Sequence, residues 1–166
     1  DGAIVQPLPL QENGIPLWIA GGGEKKTLRI AAKYAQYTNF SGAPDEFAAK
    51  SDILRAHCAD VGTDFAAIVR SSNFNAIIAS TETEVEERLS AVQAKLATVI
   101  GDDQAKGFVD GMFRTSAAVG TPEQVAERLA GLRDLGLGYA ILNFPEAAYD
   151  TSGIALFERE VAPTLA

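Results

Sequence analysis

The stretch that decides the fold is Pro16-Leu-Trp-Ile-Ala-Gly-Gly-Gly-Glu-Lys-Lys-Thr-Leu-Arg-Ile-Ala-Ala-Lys33. Residues 16–20 form a short apolar run between turn residues, the pattern of a strand covered on both faces, as in parallel sheets. Gly21, Gly22 and Gly23 stop it. From Thr27 the apolar residues Leu28, Ile30, Ala31, Ala32 and Ala35 fall at helical spacing, so the glycines sit where a strand hands over to a helix. Backbone N–H groups point out of such a turn and the helix dipole makes it slightly positive, which suits a phosphate or carboxylate.

The charges bear on the same turn. Lys25, Lys26, Arg29 and Lys33 are opposed locally only by Glu24, in a chain whose formal net charge is −8. The spacing predicts Lys25 and Lys26 in the first helical turn, where each cation costs roughly 0.3–1 kcal/mol against the helix dipole unless an anion offsets it. Two readings are open at this point. Either the turn grips an anion, or the glycines only make a tight turn and Lys26, Arg29 and Lys33, at i, i+3 and i+7, are a solvated helix face.

Working outward, 166 residues with 47% hydrophobic content suffice for one domain with a sizeable core. No run approaches the ~18–20 apolar residues of a membrane span, and the N-terminus lacks a basic region followed by an apolar signal core. The acidic balance argues against nonspecific binding to nucleic acid or anionic membranes. A single cysteine, Cys58, permits no internal disulfide, which favours a reducing compartment and a cytoplasmic location. The chain begins Asp1-Gly2 without an initiator Met, and a piece of a longer chain is expected.

Residues 1–15, with Pro7, Pro9 and the turn-like Asn13-Gly14, read as an extended leading segment, and residues 16–166 as one domain. Tyr37-Thr-Asn-Phe40 is a second short strand. Asp45 or the loop before it caps a helix with Phe47, Ile53, Leu54 and Cys58 on its apolar stripe, ending at Gly62. His57, the only histidine, shares that helix and reads as a surface or packing residue. Residues 65–79 read as a third strand with an irregularity near Ser71 and Ser72. Thr81-Glu-Thr-Glu84 resembles a capping box before a helix to about Ile100, and residues 104–118 read as partly helical. Thr121-Pro122-Glu123 is a clean helix start, with Val125, Leu129 and Leu132 buried behind it. Residues 139–144 form a fourth strand, and residues 154–165 a closing helix with Leu156, Phe157 and Val161 inward.

Strand and helix thus alternate four times, which argues for a parallel α/β fold. Its apolar strands need cover on both faces: either helices wrap both, as in a doubly wound domain, or this is half of an eight-stranded barrel.

The run from Ile15 to Ala35 with Tyr37-Thr-Asn-Phe40 resembles the central segment of luciferase-like monooxygenases, in particular their deazaflavin (coenzyme F420)-dependent oxidoreductase branch. Leu54-Arg-Ala-His-Cys-Ala-Asp-Val-Gly62, Val119-Gly-Thr-Pro-Glu-Gln-Val-Ala-Glu-Arg-Leu129, Leu142-Asn-Phe-Pro145 and Leu156-Phe-Glu-Arg-Glu-Val-Ala-Pro163 resemble it too, in family order. The resemblance implies the C-terminal half of a TIM (β/α)8 barrel about twice this long. It further implies that Gly21, Gly22 and Gly23, with Glu24, Lys25 and Lys26 beside them, bind the phosphate of a cofactor, coenzyme F420 in preference to FMN. Thr38, Asn39, Arg70, Asn143 and Phe144 are then candidates to line the mouth at the strands' carboxyl ends.

The implied chemistry is hydride or electron transfer through a flavin-like ring, with no catalytic acid or base assigned. With one His and one Cys there is no metal-ligand cluster, and no Gly-x-Ser-x-Gly turn is present. Gly21-Gly22-Gly23 lacks nicotinamide-type Gly-x-Gly-x-x-Gly spacing, because Lys26 holds the last glycine's place. The expected partners are a small-molecule substrate and either the other half of the barrel or a second copy of the chain. A non-catalytic half-barrel binding module and a phosphate-sugar enzyme of the barrel class are the alternatives.

Overall fold

The computed structural model describes residue 2, residues 6–12 and residues 14–165. Asn13 of the expected Asn13-Gly14 turn lies outside them. In chain order the elements are strand β1 (Trp18–Ala20), helix α1 (Thr27–Tyr34), β2 (Tyr37–Asn39), α2 (Pro44–Val61), a 3₁₀ turn (Phe65–Ala67), β3 (Val69–Asn75) and β4 (Ile77–Ile78). Then come α3 (Glu82–Ile100), α4 (Asp102–Met112), β5 (Val119–Gly120), α5 (Pro122–Asp134) and β6 (Leu137–Asn143). The chain closes with α6 (Ser152–Leu156), a π-helical turn (Phe157–Val161) and α7 (Ala162–Leu165).

The main sheet has four strands in the order β1-β2-β3-β6, every neighbour parallel. Order in space follows order in the chain, without the reversal that marks a doubly wound sheet. The helices cover one face. Leu28 and Ala31 of α1, Phe47 and Leu54 of α2, Val125 and Leu129 of α5, and Leu156 and Val161 near the C-terminus form a single core against that side, with Phe40 and Phe74 from the sheet. Each large side chain fully buried there contributes about 1.5–3 kcal/mol.

The opposite face is open, which corrects the expectation of strands covered on both sides. Trp18 is 43% exposed, Tyr139 49% and Ile141 37%. These alternate with Ile19 and Leu142, which pack on the helix-side core, as the two-residue strand period requires. An apolar run in the sequence predicts cover on both faces, and these four strands supply it on one.

Residues 65–79 are not one strand. Asp64 Oδ1 accepts from Ala66 N–H (2.8 Å) and turns the chain into the 3₁₀ segment, β3 follows, and Ala76 donates to Asn143 O before β4 begins. The irregularity expected near Ser71 is present as a register shift between Arg70 and Ser71. β4 pairs with β5 in a separate parallel pair, and a second core of Ile77, Val85, Leu89, Val92, Val109, Phe113 and Val119 binds it to α3 and α4. Residues 102–112 are thus a full helix despite Gly107 and Gly111, because Ala105 and Val109 are buried against α3.

Helix ends follow local chemistry. Thr121 accepts from Gln124 N–H and Gln124 Oε1 accepts from Thr121 N–H, a reciprocal capping box with Pro122 at the first helical position. Thr81 caps α3 by accepting from Glu84 N–H, while the Glu84 carboxylate reaches back to Ser80 N–H. Helix α2 differs from expectation: Ala43 is its cap, without a side-chain bond, and Asp45 lies in the first turn. Lys25 and Lys26 also differ, since α1 begins at Thr27 and Lys26 is its cap residue. The closing helix is interrupted by the π-helical turn.

Candidate functional site

Because the four strands are parallel, the loops after β1, β2, β3 and β6 share one end of the sheet, the end where barrel enzymes place their sites. The glycine loop leaves β1 there. Gly21 adopts φ +118°, a backbone conformation open mainly to glycine, and its N–H donates to Asn39 O at 2.7 Å. A Cβ on Gly23 would lie 2.7 Å from Thr27 Oγ1, and one on Gly22 would lie 3.4 Å from Lys50 Cε. Leu28 N–H closes the turn on Gly23 O. Between these bonds, the amides of residues 22–27 donate to no backbone carbonyl among the described residues.

The loop is braced from α2. Lys50 Nζ donates to Glu24 Oε1 at 2.7 Å, and the Lys50 bond is the main reason the Glu24 carboxyl is held below its ordinary value. His57 Nε2 donates to Glu24 O at 2.7 Å. A carbonyl only accepts, so the ring carries its proton on Nε2. His57 is therefore a packing residue that fixes the loop. Lys25, Lys26, Arg29 and Lys33 line a basic groove along α1 with Ile30 and Tyr34, and Arg29 is paired with Asp60.

The open face of the sheet carries a hydrogen-bonded row. Ser71 Oγ donates to Thr38 O (2.8 Å) and accepts from Trp18 Nε1–H (3.2 Å) and Asn39 Nδ2 (3.0 Å). Asn39 Nδ2 also donates to Asn73 Oδ1 (3.2 Å). One strand pair along, Asn143 Nδ2 donates to Asn75 Oδ1 (3.1 Å) and Asn75 Nδ2 to Met112 O (3.1 Å). Below this row Trp18 stacks on Tyr37 (centroids 4.7 Å) and meets Tyr139 edge-on (5.2 Å).

The structure brings Gly21, Gly22, Gly23, Glu24, Lys25, Lys26, Asn39 and Asn143 to the same end of the sheet. It separates three others. Thr38 is fully buried on the helix side, its hydroxyl donating to Ile19 O at 2.9 Å. Arg70 starts β3 rather than ending it; its guanidinium lies among the helices, donating to Ser51 Oγ (3.0 Å) and Leu135 O (3.1 Å) and stacking over Phe65 at 4.7 Å. Phe144 packs toward Phe157, centroids 6.3 Å apart. The missed members are Trp18, Ser71, Asn73 and Asn75. Period-two alternation from Asn143 and Asn39 identifies their face once the pairing of β2, β3 and β6 is known, and that pairing is a long-range property no local run of residues carries.

Compared with known proteins, residues 1–138 match the family model described as luciferase-like monooxygenase. The phthiodiolone/phenolphthiodiolone dimycocerosates ketoreductase of Mycobacterium sp. (strain JLS) is 34% identical over 91 residues, covering 54% of this chain and 24% of that protein. Among solved structures, coenzyme F420-dependent tetrahydromethanopterin reductase from Methanopyrus kandleri superposes with TM-score 0.66 at 17% identity, over 92% of this chain and 51% of that one. EDTA monooxygenase from Chelativorans sp. BNC1 gives 0.67 at 22%, over 96% and 46%. The chain thus spans a quarter of the curated relative and about half of each solved one, and its fold is that of a partial barrel.

Proposed function

The chain belongs to the luciferase-like monooxygenase family, and on that footing we propose that it is the part of an oxidoreductase that holds a flavin or deazaflavin cofactor by its phosphate at residues 21–26. The observation that carries this reading is the glycine loop at the carboxyl end of β1, with Gly21 tied to Asn39 O and the next amides left without backbone acceptors among the described residues. The donor set fits the group: main-chain N–H groups at a helix start, the Thr27 hydroxyl against Gly23, and Lys25 and Lys26 nearby. The cofactor, when bound, supplies hydride or electron transfer to a small organic substrate. The chain's own part is positional: Lys50 and His57 fix the loop through Glu24, and the Trp18–Tyr37–Tyr139 cluster gives the sheet an apolar floor.

Coenzyme F420 is the favoured cofactor and FMN the second, because the sequence resembles the F420-dependent branch while the fold is shared with F420-dependent and monooxygenase structures alike. The open sheet face and the edges at β1 and β6 take the other half of a barrel, or a second copy of this chain, as partner. The working location is the cytoplasm. No helix among the described residues is long and apolar enough to cross a membrane.

Fluorescence titration with coenzyme F420, FMN and riboflavin tests the reading. FMN is expected to bind at least tenfold more tightly than riboflavin, and Lys25→Glu with Lys26→Glu to erase that difference while easing the charge at the helix start. Equal affinity for FMN and riboflavin in the unmodified chain overturns the phosphate site.

A further inference from the structure

Strand β2 pairs with β3 only as far as Asn39 and Ser71, while β3 runs on to Asn75. Where β2 stops, a cleft of about 270 Å³ opens beside residues 73–75, between the loop at 41–43 and the end of α4 with residues 115–117. Both walls are fixed to β3. A Cβ on Gly42 would overlap the Phe74 ring, so glycine is what lets the first loop close on that side chain. On the other wall Asn75 Nδ2 donates to Met112 O at 3.1 Å and Ser116 Oγ to Asn75 O at 2.6 Å.

The cleft is neutral. None of its lining residues is ionisable, although 22% of the chain is charged. The charges nearest to it on and after α4 are paired with one another: Arg114 with Asp110 (3.2 Å) and Glu86 (2.6 Å), and Lys106 with Asp110 (2.6 Å). Met112, 52% exposed, supplies an adaptable apolar side chain.

The polar groups of the lining are sorted by their own hydrogen bonds. Thr115 and Ser116 give their hydroxyl protons to Gly111 O and Asn75 O. Ser71 Oγ gives its single proton to Thr38 O, so Asn39 turns its NH₂ toward Ser71, and the same NH₂ donates to Asn73 Oδ1. Asn73 thus keeps its own NH₂, which donates to no group among the described residues. The Ser41 hydroxyl accepts from Ala43 N–H (3.3 Å) and likewise donates to none among them. Free neutral donors beside apolar walls suit an acceptor oxygen on an uncharged group, because nothing here replaces the water that a charged group would lose.

We propose that this cleft is the substrate pocket of the mouth and takes a small uncharged organic group whose carbonyl-type oxygen accepts from Asn73 Nδ2, with Met112 against its apolar part. Its volume lies just below the ~300–1,000 Å³ of sites for drug-sized ligands, which limits the group to a small ring or branched chain. Asn39 stands between the two halves of the mouth: its main-chain carbonyl holds Gly21 N–H, and its side chain holds Asn73. The inference rests on the proposed reading of this end of the sheet as the ligand mouth, and names the class of substrate; it uses none of the phosphate-binding groups.

The test titrates three six-membered rings, cyclohexanone, cyclohexanecarboxylate and cyclohexylammonium, into the ¹⁵N-labelled chain and follows backbone and side-chain amides by NMR. Cyclohexanone is expected to shift the Asn73 NH₂ pair with residues 41–43 and 111–117, and to bind roughly fivefold or more tightly than either charged ring. Asn73→Asp keeps the oxygen that Asn39 uses but removes the free donor, and is expected to weaken cyclohexanone about tenfold. A Cβ on Gly111 would meet no atom within 4 Å, so Gly111→Phe is expected to fold and to obstruct the cleft, abolishing the ketone's shifts. Binding of a charged ring as tight as the ketone's, no binding of the ketone, or unchanged ketone affinity in either variant with its fold intact by amide spectra overturns the proposal. None of these outcomes bears on the FMN-to-riboflavin ratio of the unmodified chain, on which the phosphate site stands or falls separately.

Discussion

Gly21 hangs from Asn39: its N–H donates to the Asn39 main-chain carbonyl at 2.7 Å, joining the loop after β1 to the end of β2. Asn39 in turn gives its side chain to Ser71 and Asn73, so one residue couples the glycine loop to the asparagine row. The coupling depends on Gly21 holding φ +118°, outside the left-handed region that Gly62 occupies at +77°. An alanine is strained at both positions, and more so at Gly21, where a Cβ also meets Thr27 Cγ2 at 3.4 Å while the Gly62 surroundings are open. Gly21→Ala is expected to cost about 1–3 kcal/mol in urea unfolding, more than Gly62→Ala, and to weaken FMN binding, which Gly62→Ala leaves unchanged.

The brace from α2 gives a pH prediction. The Glu24 carboxyl is lowered from its ordinary value of 4.5, first by the hydrogen bond from Lys50 and then by the charge of Lys50. A carboxyl depressed in the folded state stabilises fully above its unfolded value and loses that contribution as pH falls through the folded value. The Lys50–Glu24 tether is therefore intact at neutral pH and released below about pH 4.5. Titrating the Glu24 side chain by NMR is expected to give a midpoint below 4.5 in the native chain and an upward shift in Lys50→Met.

Arg70 separates a structural role from a functional one. Its charge is half-buried among helices, its guanidinium held down in pKa mainly by burial, and it lies against Gly136, whose φ is +95°. Arg70→Met strips partners from Ser51 Oγ and the Leu135 carbonyl and is expected to cost about 1–3 kcal/mol with no change in FMN affinity. A fall in FMN affinity without loss of stability would return Arg70 to the mouth.

Arg70 also shows where sequence reading ended. The strand–helix alternation, the glycine turn and the Thr121 cap are local chemistry, and each is where its residues place it. Arg70, Thr38 and the asparagine row depend on strand register. Period-two alternation assigns faces only when the strand's start is known, and β3 starts at Val69, not at residue 65, which sets Arg70, Ser72 and Phe74 toward the helices and Ser71, Asn73 and Asn75 toward the open face. That placed Arg70 at the wrong end and left Asn73 and Asn75 unnoticed. The open face was unreadable for a different reason: an apolar strand predicts cover on both faces without saying which chain supplies it, and the chain spans about half the length of the solved structures it matches.

The loop after β6 carries the last prediction. Residues 144–151 follow Asn143 at the carboxyl end of the sheet and are held to α3 by two side chains, Lys95, whose Nζ lies 3.0 Å from the Tyr149 ring centroid, and Arg88. Arg88 reaches Glu146 (3.3 Å), Asp150 (3.3 Å) and Ser152 Oγ (2.8 Å). Glu146 is only 8% exposed, so removing its cation leaves a carboxylate with little water to replace it. Asp150 also accepts from Ser152 N–H, the first cause of its lowered pKa, and that bond survives loss of the arginine. Arg88→Met keeps an apolar stem at this position of α3 and is expected to cost about 2 kcal/mol, with amide hydrogen exchange speeding up across residues 144–151 and not in α1 or α2. Arg88→Met with Glu146→Gln removes the stranded charge and should recover most of the loss; if the double variant is no more stable than the single one, the buried carboxylate is not what the arginine is there to satisfy.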